Sequence, residues 1–208
     1  MKRILCYGDS NTWGLIPASD PQKRYPQEVR WTGRLKQEYP GAEIIEEGLC
    51  GRTTIFEDAL RPGRNGLKVL PILLESHKPL DVVVLMLGTN DCKTVYGTSE
   101  YTIGRGVELC IAEIEKFVPA DRILLISPVS LGEEVWRPEK DPEFDQRSVE
   151  VSKKLKNVYE QIAKGRGNGF LAADSVAAAN DADCEHLDET GHEALFKAVS
   201  EKLKEMGL

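Results

Sequence analysis

At 208 residues, with 41% hydrophobic and 29% charged side chains, the chain suits one ordinary-to-large soluble domain with a sizeable core, and excludes disorder and fibres. Its formal net charge of -7 is spread over mixed Lys/Glu stretches with no long block of one sign, which disfavours nucleic acid, membrane surfaces and other anionic partners. The five cysteines (Cys6, Cys50, Cys92, Cys110 and Cys184) contain no CxxC pair, so free thiols are expected rather than a disulfide framework or a zinc site. The apolar run from Ile4 to Tyr7 is too short for a signal peptide or a membrane span, and a cytoplasmic protein is expected.

The first element is Arg3-Ile4-Leu5-Cys6-Tyr7, which stops at Gly8 and is followed by Asp9-Ser10-Asn11-Thr12. A buried parallel strand that ends this way presents a side chain at the open edge of a sheet, and here that side chain is Ser10. The same residue types favour helix caps, so the segment alone supports either a nucleophile or a cap. Pro17 to Pro26 reads as an ordered surface loop. Trp31, Leu35 and Tyr39 then recur at helical spacing until Pro40-Gly41, and Ala42 to Glu47 reads as a short strand closed by Gly48. Leu49-Cys50-Gly51-Arg52-Thr53-Thr54 is small and polar just past that strand end. Leu67, Leu70, Leu73 and Leu74 line a helix running to His77, with Pro71 at a kink or an early boundary.

Asp81 to Leu87 is the clearest buried strand, apolar on both faces, and it too ends in glycine, before Thr89-Asn90-Asp91. Val107, Ile111, Ile114 and Phe117 mark another helix, Arg122 to Ser127 a fourth strand, and Pro128 opens a loop rich in proline and acidic residues. Val151, Leu155, Val158 and Ile162 give the inner face of a helix whose other side is a solvated Lys/Glu surface. Phe170-Leu171-Ala172 is a weak fifth strand leading to Ala173-Asp174. Ala194, Leu195, Ala198, Val199 and Leu203 describe a last helix, at whose start Thr190-Gly191-His192-Glu193 has the form of a capping box. This alternation predicts a five-stranded parallel sheet with helices on both faces, a three-layer α/β/α sandwich of the flavodoxin-like kind. Ligands in such sheets sit outside the carboxyl ends of the strands, where the loops at Ser10, Gly51 and Asn90 all fall.

A serine nucleophile needs a base, usually histidine. Of the three histidines, His77 lies at a helix end beside Lys78-Pro79, where a solvent-facing or dipole role suffices, and His192 sits in the capping-box segment and reads as a surface or supporting residue. His186 differs because Asp183 precedes it by three residues, a spacing at which a carboxylate reaches the imidazole and holds its tautomer. Asp181, Glu185 and Asp188 are nearby acids that compete for that role. Donors for an oxyanion are available in the backbone N–H groups of Ser10 and Gly51 and the side-chain amide of Asn90, although Gly51 alone reads as a turn and Asn90 alone as a cap.

Gly8-Asp9-Ser10, Gly51, Gly88-Thr89-Asn90-Asp91 and Asp183-Cys184-Glu185-His186, in this order, resemble the four motif blocks of the SGNH (GDSL-type) esterases. Arg3 to Gly14, Arg30-Trp31-Thr32-Gly33, Glu46-Glu47-Gly48-Leu49 with Arg52-Thr53-Thr54, and Leu80 to Asp91 resemble the bacterial arylesterase and acyltransferase branch of that family. The resemblance implies a single SGNH hydrolase domain over residues 1–208. It implies a serine esterase acting on small, short-acyl carboxylic esters through an acyl-enzyme, with acyl transfer to alcohols as a further outcome. Carried over residue by residue, it assigns Ser10 as nucleophile, His186 as general base and then acid, Asp183 as orienter, and Ser10, Gly51 and Asn90 as the oxyanion hole, with no cofactor and no metal. Asn11 stands where the family name implies Leu, and Asn11 and Trp13 are expected to contact substrate. Cys50 and Cys184 replace residues that are often not Cys, which bears on substrate preference more than on catalysis. Thr12 occupies the last position of a Gly-x-Ser-x-Gly elbow, which disfavours an α/β-hydrolase.

Two rival readings remain at this level. A carbohydrate acetylesterase would use the same machinery, with the polar loops Pro17 to Pro26 and Pro128 to Pro142 and the rings of Trp13 and Trp136 against a sugar. A non-enzymatic flavodoxin-like module would use Gly8 to Thr12 as a phosphate cradle, though it lacks a Walker-type Lys and a basic surround. Relatives in the resembling branch often form oligomers, and Trp136 and Phe144, read as exposed apolar residues, suit a homo-oligomer interface.

Overall fold

Successive residues of the central strands are apolar in both parities, so the sheet has to be covered on both faces. The computed structural model, which describes residues 1–208, shows how. Strands β1 (Lys2–Gly8), β2 (Ala42–Gly48), β3 (Val82–Met86), β4 (Ile123–Ser127) and β5 (Gly169–Ala172) form one parallel sheet in the order β2-β1-β3-β4-β5. Six α-helices accompany it: α1 (Ser10–Trp13), α2 (Trp31–Glu38), α3 (Gly66–His77), α4 (Glu100–Ile114), α5 (Gln146–Arg166) and α6 (Glu189–Glu205). Leu5, Tyr7, Val83, Leu85 and Leu125 point into one core, against Leu70 and Leu74 of α3, Ile103, Val107 and Ile111 of α4, and Leu155 and Tyr159 of α5. Their neighbours Ile4, Cys6, Val82, Val84, Leu124 and Ile126 point into the other, against Trp31 and Leu35 of α2 and Leu195, Val199 and Leu203 of α6. The three-layer flavodoxin-like sandwich is therefore present, with strand boundaries within a residue or two of those expected.

Several local expectations need correction. Pro71 does not mark an early boundary of α3, which runs through it from Gly66 to His77; Asn65 caps the start of the helix, accepting from Lys68 N at 3.1 Å. The start of α6 is not a Thr190/Glu193 capping box. Asp188 is the N-cap, accepting from Gly191 N at 2.8 Å and from the Thr190 hydroxyl at 2.6 Å, so Thr190 already lies in the first turn. His192 is fully buried rather than at the surface. Phe144 belongs to the core beneath α4 and α5, and Trp136 packs half-buried against it, because the loop after β4 folds back over that layer. The large apolar side chains that do face outward include Leu60, Ile72, Val95 and Tyr101. No helix is long and apolar enough to cross a membrane.

The sheet order puts the site where β1 and β3 adjoin while their following segments diverge to opposite faces, and a crevice opens there at the carboxyl edge. Gly8 and Gly48 pair in register at the ends of β1 and β2. A Cβ on Gly8 would strike the Thr12 side chain, and one on Gly48 would strike the Trp13 backbone, so both glycines let the turn after β1 pack close over the sheet edge.

Candidate active site

Ser10 is held at the tip of β1 through its backbone, its carbonyl accepting from Gly14 N at 2.8 Å and Leu15 N at 3.0 Å. Asp9 is the N-cap of α1 and accepts from Asn11 N at 3.0 Å, which leaves Ser10 as the first helical residue with its hydroxyl free to face across the crevice. The cap reading of this segment thus belongs to Asp9 and not to Ser10. Opposite lies the turn that precedes α6. There Asp183 Oδ1 accepts from the backbone N–H groups of Glu185 and His186, both at 3.0 Å, and so folds the turn that aims the imidazole. His186 Nδ1 is 2.8 Å from Asp183 Oδ2, and His186 Nε2 is 2.9 Å from Ser10 Oγ. Ser10, His186 and Asp183 therefore form one hydrogen-bonded series running from cleft to interior.

Of the acids that competed for His186, Asp183 makes the contact. Asp188 caps α6, the Asp181 carbonyl accepts from Lys140, and the nearest Glu185 oxygen stands 3.8 Å from Nε2. The loop from Pro17 also reaches this carboxylate: Ala18 N, from a residue with φ of 52°, donates to Asp183 Oδ2 at 2.9 Å. Burial alone would raise the Asp183 pKa, but the His186 contacts and these backbone N–H groups outweigh it and hold the carboxyl down at about 2. His186 shows the opposite balance. Burial disfavours its charged form, while Glu185 first and then Asp183 favour it, and the imidazole is pushed up to about 9. Asp9, sealed beside Ser10, is pushed up by burial to about 7 despite its bond from Asn11 N.

Gly51 and Asn90 enter the same crevice from β2 and β3. Gly51 sits at φ of 81°, in the left-handed region that favours glycine, and its N–H, like that of Ser10, has no acceptor within the protein. The Asn90 amide is oriented by one bond, Nδ2 donating to Arg52 O at 3.2 Å, and a second hydrogen remains on that nitrogen. Ser10, Gly51, Asn90 and His186 line a common cavity of about 80 Å³. Its other walls are Leu15, Gln22, Cys50, Arg61, Lys93, Asp141 and Glu185.

Asn11 differs from expectation. Its side chain is buried and used at both ends, Nδ2 donating to Glu185 O at 3.3 Å and Oδ1 accepting from Leu187 N at 2.9 Å, so it clamps the turn that carries His186 instead of facing the cleft. Trp13 is half-buried under the Arg24 guanidinium and does not line the cavity; Leu15 and Gln22 occupy that wall. His192 accepts from Trp31 N at 3.5 Å and meets the Tyr25 ring edge-on, with burial holding its pKa down at about 4; it supports the layer behind Asn11, whose carbonyl accepts from Trp31 Nε1 at 3.0 Å. His77 Nε2 lies 2.9 Å from Glu47, away from the cleft. The charged lining of Arg61, Lys93 and Asp141 was missed in the sequence, since no short-range pattern marks it. The phosphate-cradle reading of Gly8 to Thr12 is not supported by the loop itself, because the N–H groups of Asn11 and Thr12 that would hold a phosphate are spent on Asp9. No cluster of His, Cys, Asp and Glu side chains has the makeup of a metal site.

Residues 6–194 match the model of the GDSL-like lipase/acylhydrolase family. The fold superposes on that of a carbohydrate acetylesterase from Sinorhizobium meliloti with a TM-score of 0.90 and 34% identity, covering 99% of this chain and 100% of that one. The aryl esterase of M. smegmatis gives a TM-score of 0.89 and 33% identity over 99% of this chain and 100% of its own. A lipolytic G-D-S-L family member from Veillonella parvula, at 13% identity and a TM-score of 0.71 with 97% of each chain covered, shares the fold alone. No protein with a curated description matches significantly.

Proposed function

The chain belongs to the GDSL-like lipase/acylhydrolase family, and from that premise we propose that it is a serine esterase that hydrolyses small, short-acyl carboxylic esters through an acyl-enzyme on Ser10. The observation that carries this reading is the series Ser10 Oγ, His186 Nε2, His186 Nδ1, Asp183 Oδ2, with contacts of 2.9 and 2.8 Å, opening on a cavity that Gly51 and Asn90 also line. His186 Nε2 takes the hydroxyl proton as Oγ attacks the ester carbonyl. Charge then develops on the carbonyl oxygen, toward the N–H groups of Ser10 and Gly51 and the remaining Asn90 amide hydrogen. The imidazolium, balanced by Asp183, passes its proton to the departing alcohol; water, activated by the same nitrogen, releases the acid. An alcohol in place of that water gives acyl transfer. A cavity of about 80 Å³ suits an acetyl-sized acyl group.

General-base assistance is typically worth ~10²–10⁴ in rate and one oxyanion donor on the order of 10²–10³, so Ser10→Ala, His186→Ala and Asn90→Ala should each lose at least about a hundredfold in kcat. Labelling with a fluorophosphonate followed by peptide mass mapping tests the assignment. Modification at Ser10 is the expected result; modification elsewhere, or none in an active preparation, overturns it. The polar wall of Gln22, Asp141, Glu185 and Lys93 favours a second, narrower reading, a hydroxyl-bearing alcohol portion such as an acetylated sugar. Faster turnover of acetylated xylosides than of aryl and alkyl acetates would support it, and a preference for aryl esters or butyrates would reject it.

A further inference from the structure

Four of the five thiols lie where burial suppresses their ionisation. Burial pushes Cys50 up to about 11, Cys110 up to about 12, and Cys6 and Cys92 higher still. Cys184 is placed differently, for its sulfur meets a cation: Lys140 Nζ lies 2.8 Å from Cys184 Sγ. Elsewhere in the molecule sulfur keeps ordinary distances, 3.4 Å from Cys92 Sγ to Gly88 O and 3.8 Å from Cys110 Sγ to Thr54 O. The Lys140–Cys184 separation is shorter than either, and it is close to the span of one oxygen joined by ordinary single bonds to a nitrogen and a sulfur.

Both partners are fixed from other directions. Lys140 Nζ also donates to Asp181 O at 2.9 Å. Cys184, at φ of 62°, has its N–H donating to Asn180 O at 2.7 Å and its carbonyl accepting from Gly132 N at 2.8 Å. A Cβ on Gly132 would collide with the Cys184 side chain, so the loop after β4 is shaped to receive that sulfur. The Lys140 side chain keeps 13% of its exposure, which places the pair just beneath the surface. An amine and a thiol held together near solvent, with their backbones tied down, have already lost the freedom that would otherwise slow their joining.

We propose that Lys140 and Cys184 form a reversible oxidative crosslink in which one oxygen atom bridges Nζ and Sγ, with a peroxide as oxidant. The Cys184 sulfur attacks one hydrogen peroxide; the O–O bond breaks, an S–O bond forms, water leaves, and the sulfur is oxidised by two electrons to a sulfenic acid. The Lys140 ammonium gives one proton to solvent, and the neutral amine then joins the sulfenic oxygen. The N–O bond forms, one N–H and the sulfenic O–H break, and the two electrons released reduce a second hydrogen peroxide to two waters. The sum is one amine, one thiol and two peroxides giving the N–O–S bridge and three waters. Two equivalents of a dithiol, each closing to its disulfide and giving two electrons and two protons, reverse it to the thiol, the amine and one water. The bridge ties the loop that carries Asp141, a wall of the cleft, to the turn that carries Asp183 and His186.

The test is mass spectrometry of the full chain treated with hydrogen peroxide. The expected product is heavier by about 14 Da, one oxygen gained and two hydrogens lost; it returns to the starting mass with dithiothreitol, and proteolysis yields a peptide pair joined through Lys140 and Cys184. Lys140→Arg keeps the positive charge but should lose the crosslink, leaving only oxidised Cys184 heavier by about 16 or 32 Da. The proposal is overturned if the wild-type protein gives those unlinked products instead, if it loses about 2 Da through a direct S–N bond, or if the 14 Da product persists in the arginine variant. Should the variant fail to fold, the linked peptide from the wild-type chain decides together with its response to dithiothreitol: release of both peptides supports the N–O–S bridge, and a link of about 14 Da that resists reduction, as the isomeric sulfinamide would, overturns it.

Discussion

Glu185 is the residue on which the chemistry of the cleft turns most sharply. Its carboxyl lines the cavity, 3.8 Å from the His186 nitrogen that faces Ser10, and it is the largest influence favouring the charged imidazole. A base must be neutral to accept a proton, and a raised pKa delays neutrality, so kcat/KM should climb with pH and level off only near the His186 value of about 9. Glu185→Gln removes that negative charge while keeping the shape, and the climb should shift toward lower pH by about one unit. An unmoved profile would mean that Glu185 does not set the imidazole's charge. The pairing of Asp183 with His186 was legible because three residues of spacing fix which groups can meet. Glu185 was legible only as a rival carboxylate, since its place on the cleft wall depends on the Asp183-folded turn. Asn11 was misread for a related reason: its two partners are the backbone of Glu185 and Leu187, and no local pattern records a contact made across that distance in sequence.

At the scale of elements, the ends of β1, β2 and β3 are joined by groups buried beneath the cleft. Arg52 Nη1 donates to Gly8 O at 2.8 Å and also to the Glu47 carbonyl, and its guanidinium lies 4.1 Å over the Tyr7 ring. Asp91, in the short turn Asn90–Cys92 after β3, accepts from the Thr54 N–H with both oxygens at 3.0 Å and from the Thr54 hydroxyl. Burial pushes its pKa up to about 6, and the Thr54 donors pull against that. Asp91→Ala would strand the Thr54 donors and loosen the segment that holds Gly51 and Asn90. We expect a loss of about 1–3 kcal/mol, visible as a lower midpoint in urea unfolding, and a drop in kcat beyond that seen at a comparable surface site. A full stability without such a loss would show that the clamp is dispensable. The strands themselves were readable because both parities were apolar in the middle of the sheet. Helix starts were less readable: at α6 the cap falls to Asp188 rather than to the neighbouring Thr190, a residue type with similar cap chemistry.

For the whole molecule, the alternation of strand and helix carried the three-layer architecture, whereas periodicity does not encode the strand order β2-β1-β3-β4-β5, which is set by how the crossovers pack. Part of the charged cleft lining comes from Arg61, Lys93 and Asp141, residues brought in by packing from three separate loops. One contact at the far edge of the sheet has a different bearing. Lys2 Nζ donates to Gly207 O at 2.9 Å, so positions at opposite ends of the numbering adjoin, on the side away from the crevice. A short flexible linker between them, with the chain reopened between Pro40 and exposed Gly41, would give a circular permutant whose cleft residues are untouched. Ester hydrolysis should survive. Refolding, followed by stopped-flow fluorescence, should slow, because β1 would be the last strand in the chain and would have to enter between β2 and β3 by long-range pairing. The order in which this protein's strands are written and the place where its serine is presented are separable properties.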